Sequence, residues 1–143
     1  RKLKEFAQVV SKINYITFGI GVLSVALSYL IGVWVFNTIF DININNFQLD
    51  LIIMVIGAAA NAFVSIYVNL LIIMRRFKGQ FYTLLLTDIL AVVVSVCLIE
   101  RLAILGSVLV FMMISLLQVA LLLVIYKWSL KDAIITDKDK GKL

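Results

Sequence analysis

The stretch Leu51–Met74 reads LIIMVIGAAANAFVSIYVNLLIIM and contains no charged residue and no proline. A transmembrane α-helix needs about 20 consecutive, mostly apolar residues to cross the hydrocarbon core of a bilayer. This stretch meets that length, and three further stretches of the chain are comparable. The four apolar stretches are Tyr15–Phe40, Leu51–Met74, Phe81–Ile99 and Leu102–Tyr126. The sequence therefore predicts an all-α integral membrane protein with four transmembrane helices.

The overall composition agrees with a membrane environment. Hydrophobic residues make up 64% of the 143 residues and charged residues only 15%, whereas a soluble domain is about half apolar and a quarter charged. Proline is absent, which removes the usual cause of helix kinks. Because the links between the apolar stretches are short, consecutive helices are predicted to be antiparallel neighbours, arranged as two hairpins.

The basic residues predict the orientation in the membrane. All 13 lysines and arginines except Arg101 lie in the N-terminal segment, in the link after the second stretch, or in the C-terminal tail. The positive-inside rule then places both termini and the middle link of a multi-pass membrane protein in the cytoplasm. A nucleic-acid partner is excluded by this pattern, because the basic residues flank apolar spans instead of lining a soluble face.

Three regions follow from this reading. Residues 1–14 form an amphipathic cytoplasmic lead, which either lies in the membrane interface or makes the first turns of the first long helix. Residues 15–128 form the four-helix transmembrane domain, with helices at about 15–40, 51–74, 81–99 and 102–126. A polar loop, Asp41–Asp50, and a tight turn at Glu100–Arg101 are predicted outside, and the sequence leaves open that this turn runs on as far as Gly106. Residues 129–143 form a charged cytoplasmic tail that frays.

Each predicted helix has a face of small or polar residues. In the second helix, Gly57, Asn61, Ser65 and Asn69 follow at steps of four. Such a stripe indicates either close helix packing or a polar cavity within the membrane. For the glycines and serines of the first helix we favour packing, whereas for Asn61 and Asn69 both interpretations stay open. These two asparagines are candidate cavity residues.

Asp88 is the one ionisable residue deep within a predicted span. An aspartate at the centre of a transmembrane helix costs about 2.5–3.5 kcal/mol on insertion scales, which the aliphatic residues around it offset. Intramembrane acids usually face the interior of a bundle and mark a transport pathway. The alternative is a structural carboxyl held by a neighbouring threonine. We predict Asp88 as a third cavity residue.

The link between the second and third helices is basic. It contains Arg75, Arg76 and Lys78. Membrane topology alone explains positive charge in a cytoplasmic link. The sharper hypothesis is a binding patch for a diphosphate head group, since the guanidinium fork of arginine matches phosphate oxygens.

The sequence argues against an enzyme. It has no histidine, the commonest general base, and it lacks the phosphate-loop, GxSxG and HExxH motifs. Cys97 is the only cysteine, so a disulfide within the chain and a cage of thiolates around a metal are excluded. We therefore expect no catalytic residues, no metal site and no cofactor.

Three segments carry a resemblance to a known family. They are the basic lead Arg1–Lys4, the segment Asn69–Tyr82 with its basic turn, and the segment Leu98–Ser107 with its outer turn and small-residue helix start. Together they resemble the C-terminal region of bacterial polysaccharide flippases, the O-antigen and capsule exporters of the multidrug/oligosaccharidyl-lipid/polysaccharide exporter superfamily. The resemblance covers essentially the whole chain at the level of hydropathy and turn pattern.

This resemblance implies a function. A flippase of this kind has about 12 to 14 helices in two halves around a central cavity, and this chain would supply roughly its last four. It would lie in the bacterial plasma membrane and carry a polyprenyl-diphosphate-linked oligosaccharide across it for polysaccharide export. The implied partners are the bilayer, the lipid-linked oligosaccharide and the rest of the same transporter chain. Since the chain begins at Arg1 without a signal-peptide pattern, we expect it to be a piece of a longer polypeptide.

Two alternative functions stay open. One is a drug/cation antiporter of the same superfamily, with Asp88 as the site of a coupling proton or sodium ion. The other is a small four-helix membrane protein that acts as a structural or assembly subunit without transport.

Overall fold

The computed structural model describes residues 2–39 and 47–140, with side chains for residues 5–6, 8–39 and 47–132. This part of the chain consists of helices and turns. The first helix, α1, covers Lys2–Leu27, and a five-residue π-helical turn, Ser28–Gly32, joins it to α2, Val33–Ile39. The third helix, α3, covers Gln48–Ile73, and the fourth, α4, covers Phe77–Lys140.

The structure has three helices that are long and apolar enough to cross a membrane, and not the predicted four. They are Gln8–Ile39, Gln48–Ile73 and Phe77–Asp132. The count differs because the predicted third and fourth helices are joined in α4. The backbone reverses at one residue within α4, Ala103, whose φ of 49° and ψ of −120° are not helical.

Contacts between distant residues show that α4 folds back on itself at Ala103. The side chain of Gln118 donates a hydrogen bond of 2.9 Å to the Thr87 hydroxyl, although 31 residues of straight helix would separate them by about 46 Å. We call residues 77–102 the first arm and residues 104–140 the second arm. Glu100 and Arg101, where the tight turn was predicted, lie within helical backbone. The reversal at Ala103 falls within the longer form of that turn, which extends to Gly106.

Helices α1 and α3 pack against each other in antiparallel orientation. Near one end, the Asn14 amide donates a hydrogen bond of 2.9 Å to the Tyr67 hydroxyl. Further along, a Cβ atom at Gly21 would lie 3.2 Å from the Ala59 Cβ. At the π-helical turn, a Cβ atom at Gly32 would lie 2.7 Å from Leu51. Since Asn14, Gly21 and Gly32 meet successively earlier residues of α3, the two helices run in opposite directions.

The second arm packs parallel to α3. Gly57 meets Phe111 and Met112, and the rings of Tyr67 and Tyr126 lie 5.7 Å apart. The buried core sits at the end of the bundle nearest the basic turn and draws on α1, α3 and the second arm. It consists of Val10, Val64, Tyr67, Leu70, Leu71, Leu122 and Tyr126.

The outer surface of the described bundle is strongly apolar. Tyr15, Leu30 and Trp128 each expose more than 70% of their accessible area, and many aliphatic side chains along all the long helices are exposed as well. An apolar surface of this extent is unfavourable in water and suits a bilayer. The structure thus supports a multi-pass membrane protein.

Several predicted boundaries fall on helical backbone or beyond the described residues. Helix α1 runs without a break from Lys2 to Leu27. From Lys2 onward, the predicted amphipathic lead is therefore continuous with the first long helix. The charged tail also has helical backbone as far as Lys140. Arg1, residues 40–46 with most of the predicted Asp41–Asp50 loop, and residues 141–143 lie outside the described residues.

Candidate functional site

The basic turn between α3 and α4 is held in a compact shape by backbone hydrogen bonds. The amide of Arg75 donates to the Ile72 carbonyl and that of Arg76 to the Leu71 carbonyl, both at 3.0 Å. Arg75 itself has a φ of 56°, the left-handed conformation that usually follows a helix end and is usually occupied by glycine. The turn therefore reverses the chain within three residues and brings the basic side chains together.

Arg75, Arg76 and Lys78 line a single groove of about 650 Å³. The other wall comes from the second arm, about fifty residues further along the chain. The second arm contributes Ile125, Trp128, Ser129 and Asp132, and the start of the first arm contributes Phe77 and Gly79. The structure thus brings the three basic residues of the predicted patch to one surface. It also adds a tryptophan and a carboxylate that the sequence pattern does not single out.

An ion pair crosses this groove. The Arg76 Nη2 atom lies 2.8 Å from the Asp132 Oδ2 atom, and the two side chains are 50% and 60% exposed. An exposed pair of this kind contributes about 0.2–1 kcal/mol and is screened by salt. Arg76 is therefore paired but readily available to another anion.

The groove also lies at the N-terminus of α4, which begins at Phe77. The first backbone amides of a helix have no acceptor within the helix, and the helix dipole adds positive potential there. Arg75 and Lys78 are both exposed, so their charges are accessible. Three cationic side chains beside a helix N-terminus make this surface electropositive, and guanidinium groups have a geometry that suits phosphate.

The two predicted cavity asparagines lie on the surface of α3. Both Asn61 and Asn69 are exposed, while the buried face of α3 is formed by residues such as Val64 and Leu71. Between them, the Ser65 hydroxyl donates a hydrogen bond of 3.2 Å to the Asn61 backbone carbonyl. In the described part of the chain no hydrogen bond joins either asparagine side chain to Asp88, so a shared cavity stays a prediction.

Asp88 is exposed on the first arm. Its Oδ1 atom lies 3.5 Å from the Gln118 amide nitrogen, which is at the limit of hydrogen-bond distance. The same amide makes the shorter bond to Thr87, which is fully buried. The Thr87 hydroxyl in turn lies 3.0 Å from the Thr83 carbonyl and 2.9 Å from the Leu84 carbonyl. We call the hydrogen-bonded side chains of Thr87 and Gln118, which lie between the two arms, the polar seam. Asp88 lies at its exposed edge.

The sequence did not predict the two side-chain pairings of the site, which are the polar seam and the ion pair. Thr87 and Gln118 each lie on a predicted polar face, but their pairing joins residues 31 positions apart. Arg76 and Asp132 are 56 positions apart. A helical period reports only which side of one helix is polar, so neither pairing leaves a local signal.

Comparisons of the chain with protein-family models, with curated proteins and with solved structures found no match.

Proposed function

We propose that this chain is part of a membrane transporter, a flippase that moves a polyprenyl-diphosphate-linked oligosaccharide across the plasma membrane for polysaccharide export. The observation that carries the proposal is the groove in which Arg75, Arg76 and Lys78 converge beside Trp128. A diphosphate attached to a lipid needs cationic donors at the membrane surface, next to an apolar body that admits the lipid. The groove and the apolar bundle supply both.

The position of the groove supports a role at the cytoplasmic surface. The basic turn follows directly after the apolar helix Gln48–Ile73, and the positive-inside rule places it in the cytoplasm. Trp128 is exposed at the rim, where an amphipathic ring suits the headgroup layer. In this proposal the diphosphate binds at Arg75, Arg76 and Lys78 before the sugar enters the transport pathway.

The proposed topology has four crossings arranged as two antiparallel hairpins. Residues 77–102 and 104–132 span about 39 Å and about 43 Å as helices, and a bilayer core is about 30 Å thick. Each arm of α4 is therefore long enough to cross, with Ala103 at the outer surface. Such a module fits within a transporter of about 12 to 14 helices.

The exposed polar faces support a larger assembly around this module. Asn61, Asn69 and Asp88 lie on the surface of an otherwise apolar bundle, and amides and carboxylates are costly against lipid. In the proposal these residues face a water-filled pathway that the rest of the transporter chain completes.

The proposal is tested in the full polypeptide that contains this chain, expressed in cells without their own copy. The variant Arg75→Gln/Arg76→Gln/Lys78→Gln is expected to lower surface glycan and to leave lipid-linked oligosaccharide accumulated inside. Lys12→Gln, which removes a positive charge from exposed α1 surface, serves as the control. Full export by the triple variant at normal protein amounts would contradict the proposal.

The antiporter alternative is separated in the same cells. If Asp88→Ala alters drug sensitivity while surface glycan stays normal, the chain belongs to a drug/cation antiporter instead. Loss of glycan export without a change in drug sensitivity supports the flippase.

A further inference from the structure

The ion pair in the basic groove has a consequence for ligand binding. Asp132 places a carboxylate oxygen 2.8 Å from the Arg76 guanidinium, and both residues line the same groove as Arg75 and Lys78. A carboxylate and a phosphate compete for the same guanidinium donors. Any anion that binds this groove through Arg76 must therefore displace Asp132 or share its partner.

We propose that Asp132 is an internal competitor of the groove: its carboxylate occupies Arg76 in the empty state and is displaced when a phosphate-bearing head group binds. This inference rests on the proposed function and adds a residue that sets the affinity of the site. The backbone of the turn is held independently of Asp132, by the hydrogen bonds of the Arg75 and Arg76 amides to the Ile72 and Leu71 carbonyls.

The exposure of the pair makes such exchange feasible. Half of the Arg76 side chain and 60% of the Asp132 side chain are accessible, so an incoming anion reaches the guanidinium without unfolding the groove. A pair of this exposure is weak, and a diphosphate carries more negative charge than one carboxylate. Arg76 therefore pairs with the diphosphate when diphosphate is present, and with Asp132 when diphosphate is absent.

Replacement of Asp132 by a bound anion also breaks a contact between two parts of the fold. Arg76 belongs to the turn after α3, and Asp132 belongs to the second arm. Their ion pair links the turn to the second arm, in addition to the apolar packing of that arm against α3. Displacement of Asp132 releases this link, so occupancy of the groove is coupled to the attachment of the second arm at this end of the bundle.

The test measures binding of inorganic diphosphate to the purified protein in detergent at low salt. Asp132→Asn keeps the shape of the side chain and removes its charge, and it is expected to bind diphosphate about two- to fivefold more tightly than wild type. The gain should shrink at high salt, because exposed charges are screened. Glu100→Gln removes the same charge from an exposed position at the opposite end, and its affinity should match wild type.

A double variant excludes a general charge effect. In Arg76→Gln/Asp132→Asn the competitor and its partner are both absent, so diphosphate should bind no more tightly than to Arg76→Gln alone. Asp132→Glu retains a carboxylate and should bind as wild type does. Equal or weaker diphosphate binding by folded Asp132→Asn, or the same gain in the double variant, overturns the inference.

The source of the phosphate is distinguished in nanodiscs. The same variants are compared in phosphatidylcholine alone, with added phosphatidylglycerol, and with an added polyprenyl diphosphate, each with free diphosphate as competitor. Displacement of free diphosphate by the polyprenyl diphosphate alone supports a lipid-linked ligand, and displacement by phosphatidylglycerol supports general anionic lipid. If wild type binds neither free nor lipid-linked diphosphate, the proposed function fails together with this inference. If wild type binds and Asp132→Asn shows no gain, this inference alone fails.

Discussion

Gln118 on the second arm of α4 donates a hydrogen bond of 2.9 Å to the hydroxyl of Thr87 on the first arm. Both side chains are buried, and Thr87 is fully inaccessible. This bond joins the two arms roughly sixteen residues from the reversal at Ala103 on either side. In an apolar environment an amide without a partner is costly, so the bond favours one register of the arms over others.

The first prediction concerns this bond. Thr87→Val and Gln118→Leu each remove one partner and should destabilise the fold, and a double-mutant cycle should give a coupling of about 0.6 kcal/mol, the average for hydrogen bonds between transmembrane helices. The free energy of unfolding is measured by titration with a denaturing detergent. Ser65→Ala removes a hydroxyl that bonds only to its own helix and should show no coupling with Gln118→Leu. A coupling of zero between Thr87 and Gln118 would refute the pairing.

The second prediction concerns a close contact between the two arms beside the reversal. A Cβ atom at Gly106 would lie 2.5 Å from the Leu98 carbonyl oxygen and 2.8 Å from its carbon. Because these are backbone atoms, Gly106→Ala must push the arms apart and should destabilise the fold by about 1–3 kcal/mol. Thermal unfolding in detergent measures the change.

Gly19 provides the matched control for that substitution. Nothing lies within 4 Å of a Cβ atom built there, so Gly19→Ala should be neutral or stabilising by up to about 1 kcal/mol, through helix propensity. If both alanine variants unfold at the same temperature, the arms do not meet at Gly106.

The third prediction separates stability from binding at Arg75. Its φ of 56° is strained for a residue with a side chain, at a cost of about 1–2 kcal/mol. Arg75→Gly should therefore keep or raise the unfolding temperature, while binding of diphosphate weakens because a cation leaves the groove. Arg75→Ala loses the same cation without relieving the strain, so it should bind as weakly and be less stable than the glycine variant. Unchanged diphosphate affinity in both variants would remove Arg75 from the binding surface.

The fourth prediction concerns the direction of the two arms. Each arm crosses the membrane in the proposed topology, so the basic turn and the Ala103 reversal should lie on opposite sides. Cysteine substitutions at the exposed positions Lys78 and Arg101 are tested with a maleimide that does not cross membranes. They are made in a Cys97→Ser background, because Cys97 is itself exposed.

In intact cells, Arg101→Cys should be labelled from outside and Lys78→Cys only after the membrane is opened. Lys131→Cys, in the second arm next to Asp132 of the basic groove, should follow Lys78→Cys. Labelling of Arg101→Cys and Lys78→Cys from the same side would show that α4 does not cross the membrane twice.

The sequence predicted the helical class and the apolar spans well, because both depend on residues close together in the chain. The stretch Leu51–Met74 is apolar throughout, and the structure has the helix Gln48–Ile73 there. The predicted number of separate membrane-spanning helices, four, was wrong, because the structure has three. Glycine and proline, the usual signals of a chain reversal, are absent at the reversal itself, which falls on Ala103.

The candidate site was predicted only in part. Clustering of Arg75, Arg76 and Lys78 follows from their proximity in the sequence, and the structure places them in one groove. The opposing wall with Trp128 and Asp132 depends on how α4 folds back, which no local pattern encodes. A common cavity for Asn61, Asn69 and Asp88 stays a prediction, since the described bonds do not join them.

By itself, the sequence determined that the long helices are apolar enough for a bilayer. It also determined that the basic residues cluster in the termini and in the link after the second apolar stretch. Both follow from the sequence because hydropathy and the distribution of lysine and arginine are properties of single stretches. Only the tertiary structure decided which polar groups meet. Asp132 reaches Arg76, and Gln118 reaches Thr87, because α4 reverses at Ala103 and its second arm packs parallel to α3. Contacts over 31 and 56 positions arise from packing and from the direction of each arm, and these are collective properties of the folded chain.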